Sequence, residues 1–202
     1  MTTTPTQAET LLLQLPRDLT LHVTPTQFAT LAVANPDLHL ERTATGELIV
    51  NPPTGGETGR RNIRIAYGLM RWIEEEGGSG VAFDSSTGFL LPNGAYRSPD
   101  AAWVRQERWE ALTDEQRKGF VPLCPDFAIE LRSESDRLPK LQAKLQEYLD
   151  NGMQLGWLIN PQQKQVEIYR ADSTVEVLAN PSRLSGEAVL SGFVLDLQGI
   201  WR

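Results

Sequence analysis

The stretch CPDFAIELRSESD, Cys124 to Asp136, decides the fold. Phe127, Ile129 and Leu131 alternate as the buried face of a β-strand should, while Asp126, Glu130 and Arg132 take the places between them. Side chains two apart in a strand share a face, so Glu130 and Arg132 point the same way, with small Ala128 leaving room beside them. Two readings of that polar face are open at this point. It meets solvent, or it carries a metal site.

The neighbouring segments give the strand its context. Upstream, SPDAAWV begins a second strand whose first well-placed acid is Asp100. Downstream, a helix from Leu138 to Asp150 is closed by Gly152 and carries an apolar stripe of Leu138, Leu141, Leu145, Tyr148 and Leu149, with Lys144 on its rim. LGWLIN, QVEIYRA, TVEVLA and EAVLSGFVLDL then read as strands and hairpins. Further back, Thr24, Pro25 and Gln27 open a capped helix that Asn35-Pro36 stops, and two short strands flank a turn at Thr45-Gly46.

The clearest helix runs from Glu57 to Glu76, before Gly77-Gly78. Ile65, Ala66, Leu69 and Ile73, flanked by Met70 and Trp72, form its apolar face, and Arg60, Arg64, Tyr67 and Arg71 lie on the other side. Asn62 projects from the apolar face, either as a hydrogen bonder at the helix start or as a polar group aimed into a cleft. QERWEALTDEQRKGF reads as a helix interrupted at Thr113. Strands interrupted by helices make an α/β (α+β) protein, a mixed sheet with helical flanks. The expected organisation is an N-terminal arm over residues 1–18 and one domain over residues 19–202.

Composition narrows the chemistry. A chain of 202 residues with 40% apolar and 22% charged side chains suits one soluble globular domain. No apolar run is long enough to span a bilayer, and the polar start lacks a basic n-region, so a cytoplasmic protein is expected. One cysteine and two histidines supply neither an internal disulfide nor a zinc site of the Cys/His type, so a metal here would be a hard cation held by carboxylates. A net charge of −7 argues against a broad surface that coats phosphate backbones. PPTGGETGRRN lacks the Gly-Lys-Ser/Thr ending of a nucleotide-binding loop and reads as a turn and helix cap.

Asp100 and Glu130 can meet if their strands are neighbours, as sequential strands commonly are. Two carboxylates suit Mg²⁺, with Mn²⁺ as a substitute, because Mg²⁺ keeps much of its water and prefers oxygen ligands. A cation between them would polarise a phosphoryl oxygen, and a nearby positive side chain, Arg132 or Lys144, would stabilise the developing charge.

Together these residues resemble the PD-(D/E)xK nuclease pattern, in which an aspartate precedes an acid-x-lysine on an adjacent strand. Longer stretches resemble the putative restriction endonuclease family, a bacterial branch of that superfamily, in the family's order. They are ERTATGELIVNPPTGGETGRRN, VAFDSSTGFLLPNGAYRSPDAAWV, CPDFAIELRSESD, KLQEYLDNGMQLGWLINP and LSGFVLDL. The resemblance implies a restriction-endonuclease-like mixed central sheet with additional C-terminal strands, acting on nucleic acid, with DNA expected. It implies that Asp100, Glu130 and the backbone carbonyl of Leu131 hold the metal. It also implies that Lys144 carries the charge of the motif lysine, whose place in the strand Arg132 occupies. Asn62 matches a polar position on the first long helix that faces the cleft, and Glu41 and Glu47 match acids of the N-terminal hairpin. Glu134 replaces a proline common in the family, and Asn160 replaces an aspartate. The resulting expectation is a Mg²⁺-dependent endonuclease, with a non-catalytic interaction module on the same scaffold as the alternative. A homodimer is one way to address two strands.

Overall fold

The computed structural model describes residues 19–202; the expected arm over residues 1–18 lies outside the described residues. Helix α1 (Pro25–Ala34) leads to β1 (His39–Arg42), β2 (Leu48–Asn51) and the long helix α2 (Gly56–Glu75). Strands β3 (Val81–Asp84), β4 (Phe89–Leu90), β5 (Tyr96–Arg97) and β6 (Ala101–Val104) follow, then the short helices α3 (Gln106–Glu110) and α4 (Asp114–Lys118). The chain continues through β7 (Phe127–Leu131), α5 (Leu138–Asp150), β8 (Leu155–Asn160), β9 (Gln165–Arg170), β10 (Val175–Ala179), β11 (Arg183–Ser185) and β12 (Val194–Asp196).

Local chemistry sets several boundaries. Thr24 and Gln27 form a reciprocal capping box at α1, and Thr113 and Gln116 form another at α4, so Thr113 starts a second helix where it interrupts the first. Just past α2, Gly77 takes a positive φ of 80°, the left-handed turn that lets the chain leave a helix.

A six-stranded sheet in the order β10-β9-β8-β7-β6-β3 is the centre of the molecule. Its pairs are antiparallel except β7 with β8, which run parallel because α5 carries the chain back between them. A separate four-stranded sheet, β2-β1-β5-β4, contains the N-terminal hairpin, and β11 and β12 pair alone.

The pleat of β7 divides the core in two. Phe127, Ile129 and Leu131 face a cluster built with Ile65, Leu69 and Trp72 of α2 and with Phe193 from the C-terminal segment. Ala128 faces a second cluster, where Leu145 and Tyr148 of α5 pack with Ala102 and Leu158. Small alanines on that side let α5 approach closely.

The C-terminal EAVLSGFVLDL, read among the strands and hairpins, is extended over only part of its length. Only Val194–Asp196 is extended, and the residues before it form a turn that buries Leu190 and Phe193. The cause is local. Gly186 and Gly192 flank the turn, and an added Cβ at Gly186 would lie 2.7 Å from the Leu190 Cβ. The turn brings Phe193 into a stacked contact with Trp157, 5.8 Å between ring centroids, while Phe127 meets the same indole edge-on at 4.8 Å. Phe127→Ala removes the centre of this aromatic cluster, and urea unfolding should register a loss of about 3–5 kcal/mol.

Candidate active site

The register of β6 on β7 places the two expected acids. Ala101 lies opposite Ile129 and Ala102 opposite Ala128, so one further step sets Asp100 opposite Glu130. Directly opposed residues of an antiparallel pair carry their side chains on one side of the sheet. A further step would bring Pro99 opposite Leu131, but β6 begins only at Ala101. Instead the Asp100 carboxylate itself takes the Leu131 N–H, which donates to Oδ2 at 2.7 Å.

Asp100 Oδ1 accepts a 3.0 Å hydrogen bond from the Asn62 amide on α2. Glu130 is held from the other direction. Its Oε1 meets Lys144 Nζ at 2.9 Å and accepts from the Tyr148 hydroxyl at 3.3 Å, both on α5. The two acids therefore bracket the end of the β6–β7 pair, one tied to each flanking helix. Both contacts to Glu130 fall on Oε1, which leaves Oε2 for another partner.

Lys144 is the hub. Its ammonium also pairs with Glu41 Oε1 at 2.8 Å and donates to the Ser98 carbonyl at 3.0 Å. An ammonium has three N–H donors, and all three are used. The side chain is only 13% exposed, so the lysine at the rim of the α5 stripe turns inward and does not snorkel to water. Glu41 is further held by the Ser98 N–H at 2.9 Å and by Arg97 at 3.3 Å, and Arg97 reaches on to Glu147 of α5 at 2.5 Å.

This arrangement distributes protons unevenly. Burial opposes ionisation of Glu41, but Lys144, Arg97 and the Ser98 N–H outweigh it and hold the carboxyl below its usual range. Burial pushes Glu130 up to about 8; Lys144 counters it, and the negative charges of Asp100 and Glu41 add to it. Asp100 is also raised by burial, against the Leu131 N–H, Lys144 and Asn62. Burial works against charge on Lys144 too, but Glu130 and Glu41 keep the ammonium protonated. One shared cation thus serves Glu41 first and leaves Glu130 holding a proton near neutral pH.

The other expected residues fall around this centre in different ways. Asn62 reaches Asp100 from α2, and its Oδ1 is buried with no hydrogen-bond donor among the described residues. Arg132 lies one residue beyond β7, where its guanidinium donates to the Asp136 carbonyl at 3.3 Å and to Asn160 Oδ1 at 3.5 Å. Its hydrogen bonds reach neither acid. Glu47 takes part through its backbone, donating to Thr43 Oγ1 at 2.9 Å and bridging to His22. Asp126, on the same strand face as Glu130 by parity, sits at the opposite end of β7 and pairs with Arg105 and Arg108. The polar face of the opening stretch therefore does two separate jobs. Arg97, Ser98, Glu147 and the Tyr148 hydroxyl were not anticipated; the spacing of Glu147 three residues after Lys144 on one helix was the available signal.

Among the described residues, no group of three or more His, Cys, Asp or Glu side chains is arranged to hold a metal. The chain is thus a mixed sheet flanked by helices, with Asp100 and Glu130 at the end of one strand pair. The structure is similar to the crystal structure of a putative nuclease belonging to DUF820 from Anabaena variabilis ATCC 29413, with a TM-score of 0.67 and 20% identity over 80% of this chain and 89% of that one. The family model for Uma2, putative restriction endonuclease, matches residues 25–198, and the chain belongs to that family. No curated protein matches the chain.

Two stability measurements test this electrostatic account. Removing the hub in Lys144→Met leaves Glu41 and Glu130 without their shared cation, and urea unfolding at neutral pH should show a loss of about 3–5 kcal/mol. Glu130 binds its proton more tightly folded, with a value of about 8 against an ordinary 4.5, so its contribution falls as pH rises through that window. In Glu130→Gln the loss is absent. The melting temperature of the variant, relative to the parent, should therefore climb between pH 5 and pH 8.

Proposed function

We propose that this protein is a Mg²⁺-dependent endonuclease that hydrolyses phosphodiester bonds of nucleic acid, with DNA as the expected substrate. The observation that carries the reading is the opposition of Asp100 and Glu130 across the β6–β7 register, with Lys144 against Glu130. Membership of a family described as putative restriction endonucleases supports it.

The donor chemistry fits a hard cation. Every side-chain donor is an oxygen, the hydrogen bond and ion pair of Glu130 both fall on Oε1, and Asn62 Oδ1 is a buried acceptor without a donor among the described residues. Two carboxylates with solvent match Mg²⁺, which rarely takes a cage made wholly of protein. Asp100, Glu130 and the Leu131 carbonyl would hold it, and Mn²⁺ would substitute. When bound, the ion supplies polarisation of a phosphoryl oxygen and lowers the pKa of water.

The chain's own groups supply the rest. Asn62 and the Leu131 N–H orient Asp100. Glu130 would ligate the ion only as the carboxylate, with its proton passed to solvent, and Lys144 would stay against its Oε1 at the edge of the site. As the scissile group gains charge, the ammonium can exchange one of its protein acceptors for a phosphoryl oxygen. Arg132 serves the loop after β7 by holding Asp136 and Asn160.

The saturation of Lys144 favours a second reading, a nuclease-fold module that binds a partner without cleavage. Calorimetric titration with Mg²⁺ and Mn²⁺, paired with cleavage assays on single-stranded and duplex DNA, separates the two. Asp100→Asn and Glu130→Gln should abolish both ion binding and cleavage, and Lys144→Met should slow cleavage by about 10²–10³-fold. Because the ion competes with the proton on Glu130, affinity should rise with pH and level off above about 8. No divalent binding at millimolar concentration would remove the endonuclease reading.

A further inference from the structure

The flank of α5 that enters the site continues beyond it. With 3.6 residues per turn, Arg137, Lys140, Lys144 and Glu147 fall within an arc of about 80°. The later two are spent inside, Lys144 on Glu130 and Glu41, and Glu147 on Arg97. The earlier two carry the same line outward to the start of the helix, and both are exposed. Their side chains make no ion pair or hydrogen bond among the described residues. Most cations of this chain are engaged by contrast. Arg60 and Arg61 hold carbonyls of the C-terminal segment, Arg105 and Arg108 hold Asp126, and Arg170 holds Glu176 and Glu187. In a protein of net charge −7, two open cations side by side are a local exception.

Arg137 and Lys140 line one pocket of about 190 Å³ with Ser135, Asp136 and Leu141. Its acid is committed to its own loop: Asp136 Oδ2 accepts from the Ser133 N–H at 2.8 Å and from the Ser133 hydroxyl at 2.6 Å. Arg132 donates to the Asp136 carbonyl, so three cations of this segment stand against Asp136 and the exposed Glu134. The pocket adjoins the site. Lys140 precedes Lys144 by one turn, about 6 Å along the axis, and the charge of Asp136 is near enough to oppose ionisation of Asp100. A group bound here would lie one step along a strand from a group at Asp100 and Glu130. A phosphate suits the lining, because the guanidinium offers a two-pronged fork, the ammonium a mobile charge and Ser135 a hydroxyl.

We propose that Arg137 and Lys140, with Ser135, bind the backbone phosphate next to the one at Asp100 and Glu130, and so set where a nucleic-acid strand lies on the protein. The inference rests on the nucleic-acid substrate proposed above and not on its cleavage. Phosphate contacts fix register and carry no base preference, so this site holds strands of any sequence alike.

Fluorescence anisotropy of labelled single-stranded and duplex DNA with the full chain in EDTA tests it, since EDTA removes the ion that hydrolysis would need. At about 50 mM salt the double variant Arg137→Ala/Lys140→Ala should bind at least about tenfold more weakly than the parent. Its slope of log K against log salt should flatten by about 1, one phosphate contact fewer. Lys118→Ala on α4 should leave both unchanged, and thermal melting checks that the double variant, altered only at exposed side chains, keeps its fold. In Mg²⁺ the double variant should raise KM and keep kcat, the signature of lost uniform binding. A parent protein that retains no DNA overturns the proposal, as does a double variant with unchanged affinity and slope. Weakened binding in the variant, with no divalent-ion binding by the parent, supports this site and removes the endonuclease reading alone. Mg²⁺-dependent cleavage with an unchanged KM in the variant does the reverse.

Discussion

The alignment of β6 on β7 is the constraint on which the rest depends. A slip of one residue would send every side chain of a strand to the other face, taking Glu130 into the α2 core and Ile129 toward α5. The sheet resists that slip by asymmetry of size. Trp103, Phe127 and Ile129 fill one side together with Trp157, whereas Ala102 and Ala128 leave the other side thin enough for Leu145 and Tyr148. Neither set fits in the space of the other. The site is therefore fixed by the packing of its uncharged strand neighbours, and ahead of β6, where Pro99 has no N–H to offer the ladder, the Asp100 carboxylate takes the Leu131 N–H.

Charge at the site is deliberately unbalanced. Four carboxyl groups, Glu41, Asp100, Glu130 and Glu147, stand around two cations, Lys144 and Arg97. A fold selected for stability alone would pair them or replace them with apolar groups, because an excess buried acid costs free energy. The excess is borne by Glu130, through a proton kept up to about 8, and by Asp100, through hydrogen bonds from Asn62 and Leu131. Such a surplus of negative charge, held in place by neutral donors, is what a bound cation would relieve.

Much of this was legible in the sequence because it follows from period and punctuation. Alternation in FAIEL gave a strand with a polar face, and Thr24 with Gln27 gave a helix start. The reach of Lys144 toward Glu130 followed from family likeness, while its stripe position alone pointed to solvent. What escaped depends on three-dimensional proximity. Arg97 ends a short strand of a different sheet and Ser98 follows it, and nothing in YRSPD says that this strand passes beside α5. Parity also overreached at Arg132. It shares the Glu130 face only while the strand continues, and the strand ends at Leu131, so the guanidinium follows the loop to Asp136 and Asn160. In the C-terminal segment, alternation of apolar residues imitated a strand that glycines convert into a turn.

The ionic cluster also does structural work that hydrophobic contacts could not. Glu41 and Arg97 belong to the small sheet, Glu130 to the large one, and Lys144 and Glu147 to α5; the two sheets share no ladder. Apolar packing tolerates sliding and repacking, but an ammonium with three acceptors and a guanidinium spanning two acids fix direction as well as distance. The same bonds that aim Lys144 at Glu130 thus hold the N-terminal hairpin over the site. Drawing Lys144 away from Glu41 would leave that hairpin held by Arg97 and Ser98 alone, so the ion pair of Glu130 and the position of the hairpin are linked through one side chain.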